Sequence, residues 1–314
     1  MEKWALPPFG ALRAFEAVGR HGGIRKAAEA IGIDHAVVSR HLRTLEAWVG
    51  ADLFVRRAGG ATLTPKGALY HSRISAAIAE MVDASEQVSG RKQAPRVRIW
   101  CVPGFAFQWL IPRLGEFRIL HSDVELDLRP TDEGPDFSTR EADGDIRYVR
   151  DWATDPRFGD NVRTIMLARP PVFPVASPAL LAEHLPVQQA ADLLSWPLLH
   201  EESEEEWRYW FIGQGVEIDH RLAGPRLWHA HMTLDAARRG QGVALANSFL
   251  LGNDLETGRL VPLGVPGSSF ASTPLGGYCF FARDDRWTAP AVVLFRRWLA
   301  DAVTVFRSEY AWSS

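Results

Sequence analysis

The stretch IGIDHAVVSRHLRTLEAWVG, Ile31–Gly50, holds a hydroxyl and two guanidiniums at spacings that put them on one side of a helix. At about 100° per residue, Val38, Leu42, Leu45 and Val49 occupy a narrow apolar sector, and Ala36, Ser39, Arg40, Arg43 and Ala47 gather opposite it. Such a face could approach base edges and phosphates in the major groove of DNA. It could equally be a solvated surface, and the residues beyond it decide. LFVRRAGGATLTPKG, Leu53–Gly67, alternates as a strand, turns at Gly59 and Gly60 and returns as a short strand. It ends at Thr64, a cap for a helix with Pro65 in its first position. This is the outline of a wing, with Arg56 and Arg57 at its edge to meet phosphates or the minor groove.

Other chemistry is not spelled out. The chain lacks a Gly-x-Ser-x-Gly elbow, a phosphate-cradling loop ending in Gly-Lys-Ser/Thr and any Cys-x-x-Cys pair. GQGVAL lacks the third glycine of a dinucleotide fingerprint, and HEESE lacks the second histidine of a zinc-protease helix. His229 and His231 could ligate a metal, but spacing indicates no third ligand, so no enzyme activity, metal or cofactor is expected. Cys101 and Cys279 lie in apolar, strand-like runs (RIWCV and GYCFF), which favours buried thiols, with a redox-sensing pair as the alternative.

The candidate DNA-facing groups need helices to hold them. Phe9–Gly22 places Leu12, Phe15 and Val18 on one side and stops at Gly22 and Gly23; Arg25–Ile31 forms a second helix closed by Gly32, with Ala27 and Ala28 allowing close approach. Asp34 is placed to cap the third helix with its carboxylate. Two short helices, a turn and a longer third are the outline of a helix-turn-helix. From Pro65 to about Ser89, Tyr70, Ile74, Ala77, Met81, Ala84 and Val88 recur at spacings of four and three. That seam predicts pairing with a second copy of the chain, which would present two reading heads to a two-fold DNA site.

Charge is divided between the two parts of the chain. Residues 1–73 carry 11 Lys and Arg against 6 Asp and Glu, whereas the whole chain has a net charge of −3. A basic head on an acidic body fits a nucleic-acid-binding module carried by another domain. A length of 314 residues allows two or three domains, and 46% hydrophobic with 23% charged residues is the composition of a folded globular chain. No apolar run is long enough to span a membrane, and the amino terminus has no basic segment followed by an apolar core, so a cytoplasmic location is expected. GRKQAP after Ser89 reads as a hinge. RVRIWCV, VELDLRP and DIRYV then read as strands and Phe105–Leu120 as a helix, so an α/β body with largely parallel sheets is expected. Breaks near Leu167–Pro174 and Val265–Gly277 suggest a second lobe inserted in the first. Trp109, Trp207, Trp210 and Trp298 sit at core spacings.

ALRAFEAV, KAAEAIGI, VVSRHLRTLE, VGADLFVRR and LTPKG, in this order, resemble the winged helix-turn-helix of LysR-type transcriptional regulators. LPPFGALRAFEAV resembles in particular the branch of the glycine-cleavage and β-lactamase regulators. FQWLIPRLGEF, GDIRYV, LLHEESEEEWRYWF, AARRGQGVAL, LETGRLV and FRRWL extend the likeness over nearly the whole chain. The resemblance implies a winged helix-turn-helix over 1–64, a linker and dimerisation helix with hinge over 65–95, and a periplasmic-binding-protein-like effector domain over 96–314. In that domain the first lobe would span about 96–167 and 266–314, and the second about 168–265. Recognition positions fall on His35, Ala36, Ser39, Arg40 and Arg43, with wing contacts at Arg56 and Arg57. The family's usual Ser-Phe-Thr before the second helix is Gly23, Ile24, Arg25 here, removing a hydroxyl cap and offering Arg25 to phosphate. His35 and Ala36 replace the glutamine and proline that commonly open the recognition helix, which should alter the operator.

The resemblance also implies promoter DNA, a small-molecule effector, further copies of the chain (a dimer through 65–89 and a tetramer through the effector domains) and RNA polymerase as partners. Between two such lobes, strand ends and helix amino termini favour a small anion or carboxylate. The corresponding positions are Gly104, Phe105, Arg147, Tyr148, His200, Ala230 and His231. Gly104 stands where relatives often carry Ser or Thr; Arg147 is read either as a bidentate carboxylate partner or as an inter-strand arginine, and His200 and His231 as ligand contacts or structural groups. Rival readings are a solute-binding protein working by cleft closure, and a DNA-binding regulator whose body is an effector-independent or redox-responsive oligomerisation scaffold.

Overall fold

The computed structural model describes residues 6–57, 60–89, 94–137, 141–153, 161–264 and 270–309. The chain divides into two compact units, 1–93 with 136–141, and 94–135 with 142–314.

In the first unit, α1 (Phe9–His21), α2 (Ile24–Ile31) and α3 (His35–Val49) each end on a glycine in the left-handed region: Gly22, Gly32 and Gly50. An L side chain there would be strained, so these glycines fix the three stops. The Asp34 carboxylate accepts from the Ala36 amide at 2.7 Å, which caps the start of α3. Gly23 offers α2 no side-chain cap. Phe15, Val18, Ala27, Val38 and Leu45 form the core of the bundle, all but free of solvent. Each such Leu or Phe stabilises the fold by roughly 1.5–3 kcal/mol.

Strands β1 (Phe54–Arg57) and β2 (Gly60–Leu63) pair antiparallel, with Phe54 opposite Leu63 and Arg57 opposite Gly60. Thr64 then accepts from the Gly67 amide at 2.9 Å and starts α4 (Pro65–Ser89). Gly67 is required there, because a Cβ would run into the Leu53 carbonyl. The first turns of α4 are not left bare for a partner: Tyr70 and Ile74 pack on the head's own core, and Tyr70 lies 5.5 Å from Phe15 between ring centroids. The early part of the seam expected over the whole helix is therefore occupied by the head itself.

The second unit has two lobes. One holds a five-stranded sheet in the order β4 (Glu125–Pro130), β3 (Arg96–Cys101), β5 (Gly144–Arg150), β10 (Gly276–Arg283) and β6 (Val162–Ala168). Strand β3 runs parallel to both β4 and β5, but β10 is antiparallel to β5 and to β6. The other lobe holds β8 (Ala244–Ala246), β7 (Phe173–Ala176) and β9 (Val261–Pro262), antiparallel throughout. The larger sheet is thus mixed and the smaller one antiparallel, where largely parallel sheets were expected. The chain leaves the first sheet after β6 and re-enters it only at β10, and that returning strand comes back reversed.

The expected helix over Phe105–Leu120 is broken into α5 (Pro103–Phe105), a π-turn (Ala106–Leu110), a 3-10 turn (Ile111–Arg113) and α6 (Leu114–Leu120). Pro112, which has no amide hydrogen, explains part of the break. The long α11 (Pro290–Glu309) packs Phe295 and Trp298 into the same core as Phe105, Trp109 and Phe280. In the inserted lobe, α7 (Pro178–Ala182), α8 (Glu205–Gly213), α9 (Ala230–Arg238) and α10 (Ser248–Leu251) surround the small sheet. Trp207 and Trp210 of α8 are buried there, and their indole N–H groups donate to the Leu199 and Val172 carbonyls at 2.9 and 3.2 Å. Among the described residues, no helix is long and apolar enough to cross a membrane.

Candidate functional sites

Helix α3 separates its two faces sharply. Val38, Leu42 and Leu45 are buried, whereas His35, Ala36, Arg40, Arg43 and Ala47 are exposed and Ser39 half-exposed. The Ser39 hydroxyl donates to the His35 carbonyl at 3.0 Å, which leaves its oxygen free to accept. Arg25 on α2 is exposed as well. The backbone of Arg56 and Arg57 lies in β1, and their side chains fall outside the described residues.

One positioning residue escaped the sequence reading. Glu46 accepts from the Leu53 and Phe54 amides through a single carboxylate oxygen, at 2.9 and 3.1 Å, and so ties the end of α3 to the start of β1. In the sequence Glu46 shows only as a lone acid among the basic residues of α3.

On α4, Ala77 and Met81 are exposed, Met81 by half. The side chains of Ala84 and Val88 lie outside the described residues, as does the hinge Gly90–Gln93.

A cavity of about 400 Å³ opens between the lobes of the second unit, a volume suited to a small organic molecule. Gly104, Phe105, Arg147, Tyr148 and Ala230 line it. His200 and His231 are not among its lining residues. His200 is buried, and its Nε2 donates to the Ala223 carbonyl at 3.1 Å, a structural role. His231 stacks on His229 at 5.2 Å between ring centroids, and burial followed by the charge of His229 lowers its pKa. His229, two residues earlier, is the histidine that reaches the cavity, with Nδ1 3.2 Å from an Asp132 oxygen.

Arg147 does not present a free fork to a carboxylate. Its Nε donates to both Asp145 oxygens at 2.9 and 2.8 Å, and its terminal nitrogens donate to the Thr131 and Glu133 carbonyls at 2.5 and 2.6 Å. It braces β5 to the loop that follows β4. The residues missed in the cavity are acids: Asp132, Glu133, Glu201, Glu202 and Glu206 all line it. Arg150 reaches Glu206 at 2.7 Å and Glu201 at 3.3 Å, so two carboxylates share one guanidinium. Burial, and then the neighbouring Glu206, pushes the Glu201 carboxyl well above its ordinary range. The run EESEEE is the signal the sequence carries for these acids.

Both thiols are buried, and burial raises the pKa of Cys101 and of Cys279. Neither environment favours the reactive thiolate. Among the described residues, no group of three or more His, Cys, Asp or Glu could hold a metal ion.

Residues 9–68 match the helix-turn-helix of bacterial regulatory proteins of the lysR family, and residues 90–304 match the LysR substrate binding domain. The chain belongs to the LysR family of transcriptional regulators. This LysR-family regulator is 30% identical to the glycine cleavage system transcriptional activator of Escherichia coli over 297 residues, covering 94% of this chain and 93% of that one. It is 34% identical to the regulator TrpI of Pseudomonas aeruginosa, covering 81% of this chain and 85% of the relative. In fold it is similar to ArgP of Mycobacterium tuberculosis, with a TM-score of 0.68 at 20% identity over 96% of this chain and 98% of that one. It is therefore a DNA-binding transcription regulator with an effector-binding domain.

Proposed function

We propose that the exposed face of α3, Ala36, Ser39, Arg40 and Arg43 with His35 at its start, enters the major groove of a promoter, and that Arg25, Arg56 and Arg57 hold the flanking phosphates. The observation that carries this reading is the contrast on one helix between a buried aliphatic stripe and a basic exposed ridge. Two copies joined along the later part of α4, through Ala77, Met81, Ala84 and Val88, read a two-fold site. Pairing of the effector domains makes the tetramer. The protein acts in the cytoplasm, where RNA polymerase meets it at the promoter, and a small molecule in the inter-lobe cavity alters its grip on DNA. Gly104, Phe105, Tyr148 and Ala230 are the effector contacts that the cavity lining supports.

Fluorescence anisotropy with the DNA upstream of the gene tests the groove assignment. Arg43→Ala is expected to weaken binding by about 1–3 kcal/mol, and log affinity should fall linearly with log salt concentration. Unchanged affinity for Arg43→Ala would remove α3 from the groove.

A further inference from the structure

The charge of the cavity points away from the anion expected of this fold. Five carboxylates line it against two guanidiniums, those of Arg147 and Arg150. Arg147 is already bound by the buried Asp145, which contributes a further negative charge. Arg150 is divided between Glu201 and Glu206, whose side chains are only 19% and 16% exposed. Among the described residues, Glu201 and Glu206 thus share a single guanidinium inside a part-closed space, and buried charges are normally paired one to one.

The remaining walls add a second preference. Trp228 lines the cavity, is largely exposed and holds a left-handed backbone at φ 65°, an unusual posture for a bulky side chain. Phe105, Tyr148 and Tyr278 supply further aromatic surface, and the Tyr148 hydroxyl is buried without a hydrogen-bond partner among the described residues. Aromatic faces beside carboxylates attract organic cations through the ring quadrupole as well as through charge. A volume of about 400 Å³ is far larger than a bare metal ion needs.

We infer that the effector of this regulator is a small organic cation, an amine or guanidine, whose positive group sits between Glu201 and Glu206 against the Trp228 side of the cavity. The inference rests on the reading of this cavity as the effector site. A positive group there would offset the cost that burial and the neighbouring Glu206 impose on the Glu201 carboxylate. Asp132 and Glu202 from the facing loops add to the attraction, Tyr148 lies in the wall, and Arg150 opposes it.

The test is calorimetric titration and thermal shift of the full-length protein with 1,4-diaminobutane and agmatine, against adipate and inorganic phosphate, at one ionic strength. The cations should bind and raise Tm. Glu201→Gln, which keeps the shape of the side chain, should weaken them roughly 10- to 100-fold. The same substitution should raise the Tm of the free protein at slightly alkaline pH by about 2–4 °C, because it removes an excess buried charge. Binding of adipate or phosphate but not of the cations would overturn the inference while leaving the cavity as the effector site. No binding by any of the four, with an unchanged or lowered Tm in Glu201→Gln, would count against both. Cation binding that Glu201→Gln leaves intact would overturn the placement.

Discussion

Replacing Glu46 by alanine should loosen the wing without unfolding the head. The carboxylate accepts two backbone hydrogen bonds, from the Leu53 and Phe54 amides at 2.9 and 3.1 Å. Hydrogen bonds to a charged group contribute about 1.5–3 kcal/mol each when the released donor stays dry. Both amides here are only part-buried, so water recovers some of the loss, and a total of about 2 kcal/mol is expected. The apolar core built on Phe15, Val38 and Leu45 is untouched, and the effect stays local. Hydrogen exchange of the full-length protein should show protection of the Leu53 and Phe54 amides falling by about 30-fold, with the α1 amides unchanged. DNA affinity should fall as well, since β1 and its arginines begin at that anchor. Glu46→Gln, whose amide oxygen still accepts but without charge, should lose roughly half as much. Wild-type exchange at both amides in Glu46→Ala would refute the anchoring role.

Two further outcomes follow from the same geometry. Met81→Glu puts a charge on the part of α4 that the head leaves uncovered, and analytical ultracentrifugation should show the assembly falling to a smaller species; an unchanged sedimentation coefficient would move the interface elsewhere. Glu201 holds its proton above the ordinary carboxylate pKa of 4.5, so its contribution to stability is full below that value and is lost as pH rises through the raised one. The Tm of the wild-type protein should therefore decline more steeply above pH 4.5 than that of Glu201→Gln, and coincident profiles would contradict the shift.

Much of the head was legible because its determinants are local. The apolar spacing of Leu12, Phe15 and Val18, the cap at Asp34, the glycine stops and the Thr64-Pro65 start all act within one or two turns, and the elements stand where those signals put them. Strand direction was not legible. Alternation along GGYCFF fixes which face is buried but says nothing about which way the strand runs, so the reversal of β10 could not be read. The bracing of Arg147, by contrast, was present in the sequence: residues two apart share a strand face, and DIR puts Asp145 beside Arg147. The acidic character of the cavity is non-local, assembled from the loop after β4 and the segment leading into α8, and only the density of glutamates in EESEEE hinted at it. Of the two readings open for His200, the structural one could not be chosen from the sequence, because its ring turns toward Ala223, a contact set by the chain 23 residues later.

Hydroxyl-radical footprinting of the wild-type protein on the DNA upstream of its gene tests the central claim most directly. Paired heads reading the groove through α3 predict two protected half-sites related by a dyad, centred about 10 base pairs or a multiple apart, both weakened in Arg43→Ala. A single protected stretch with no dyad, or no protection at low ionic strength, would contradict it.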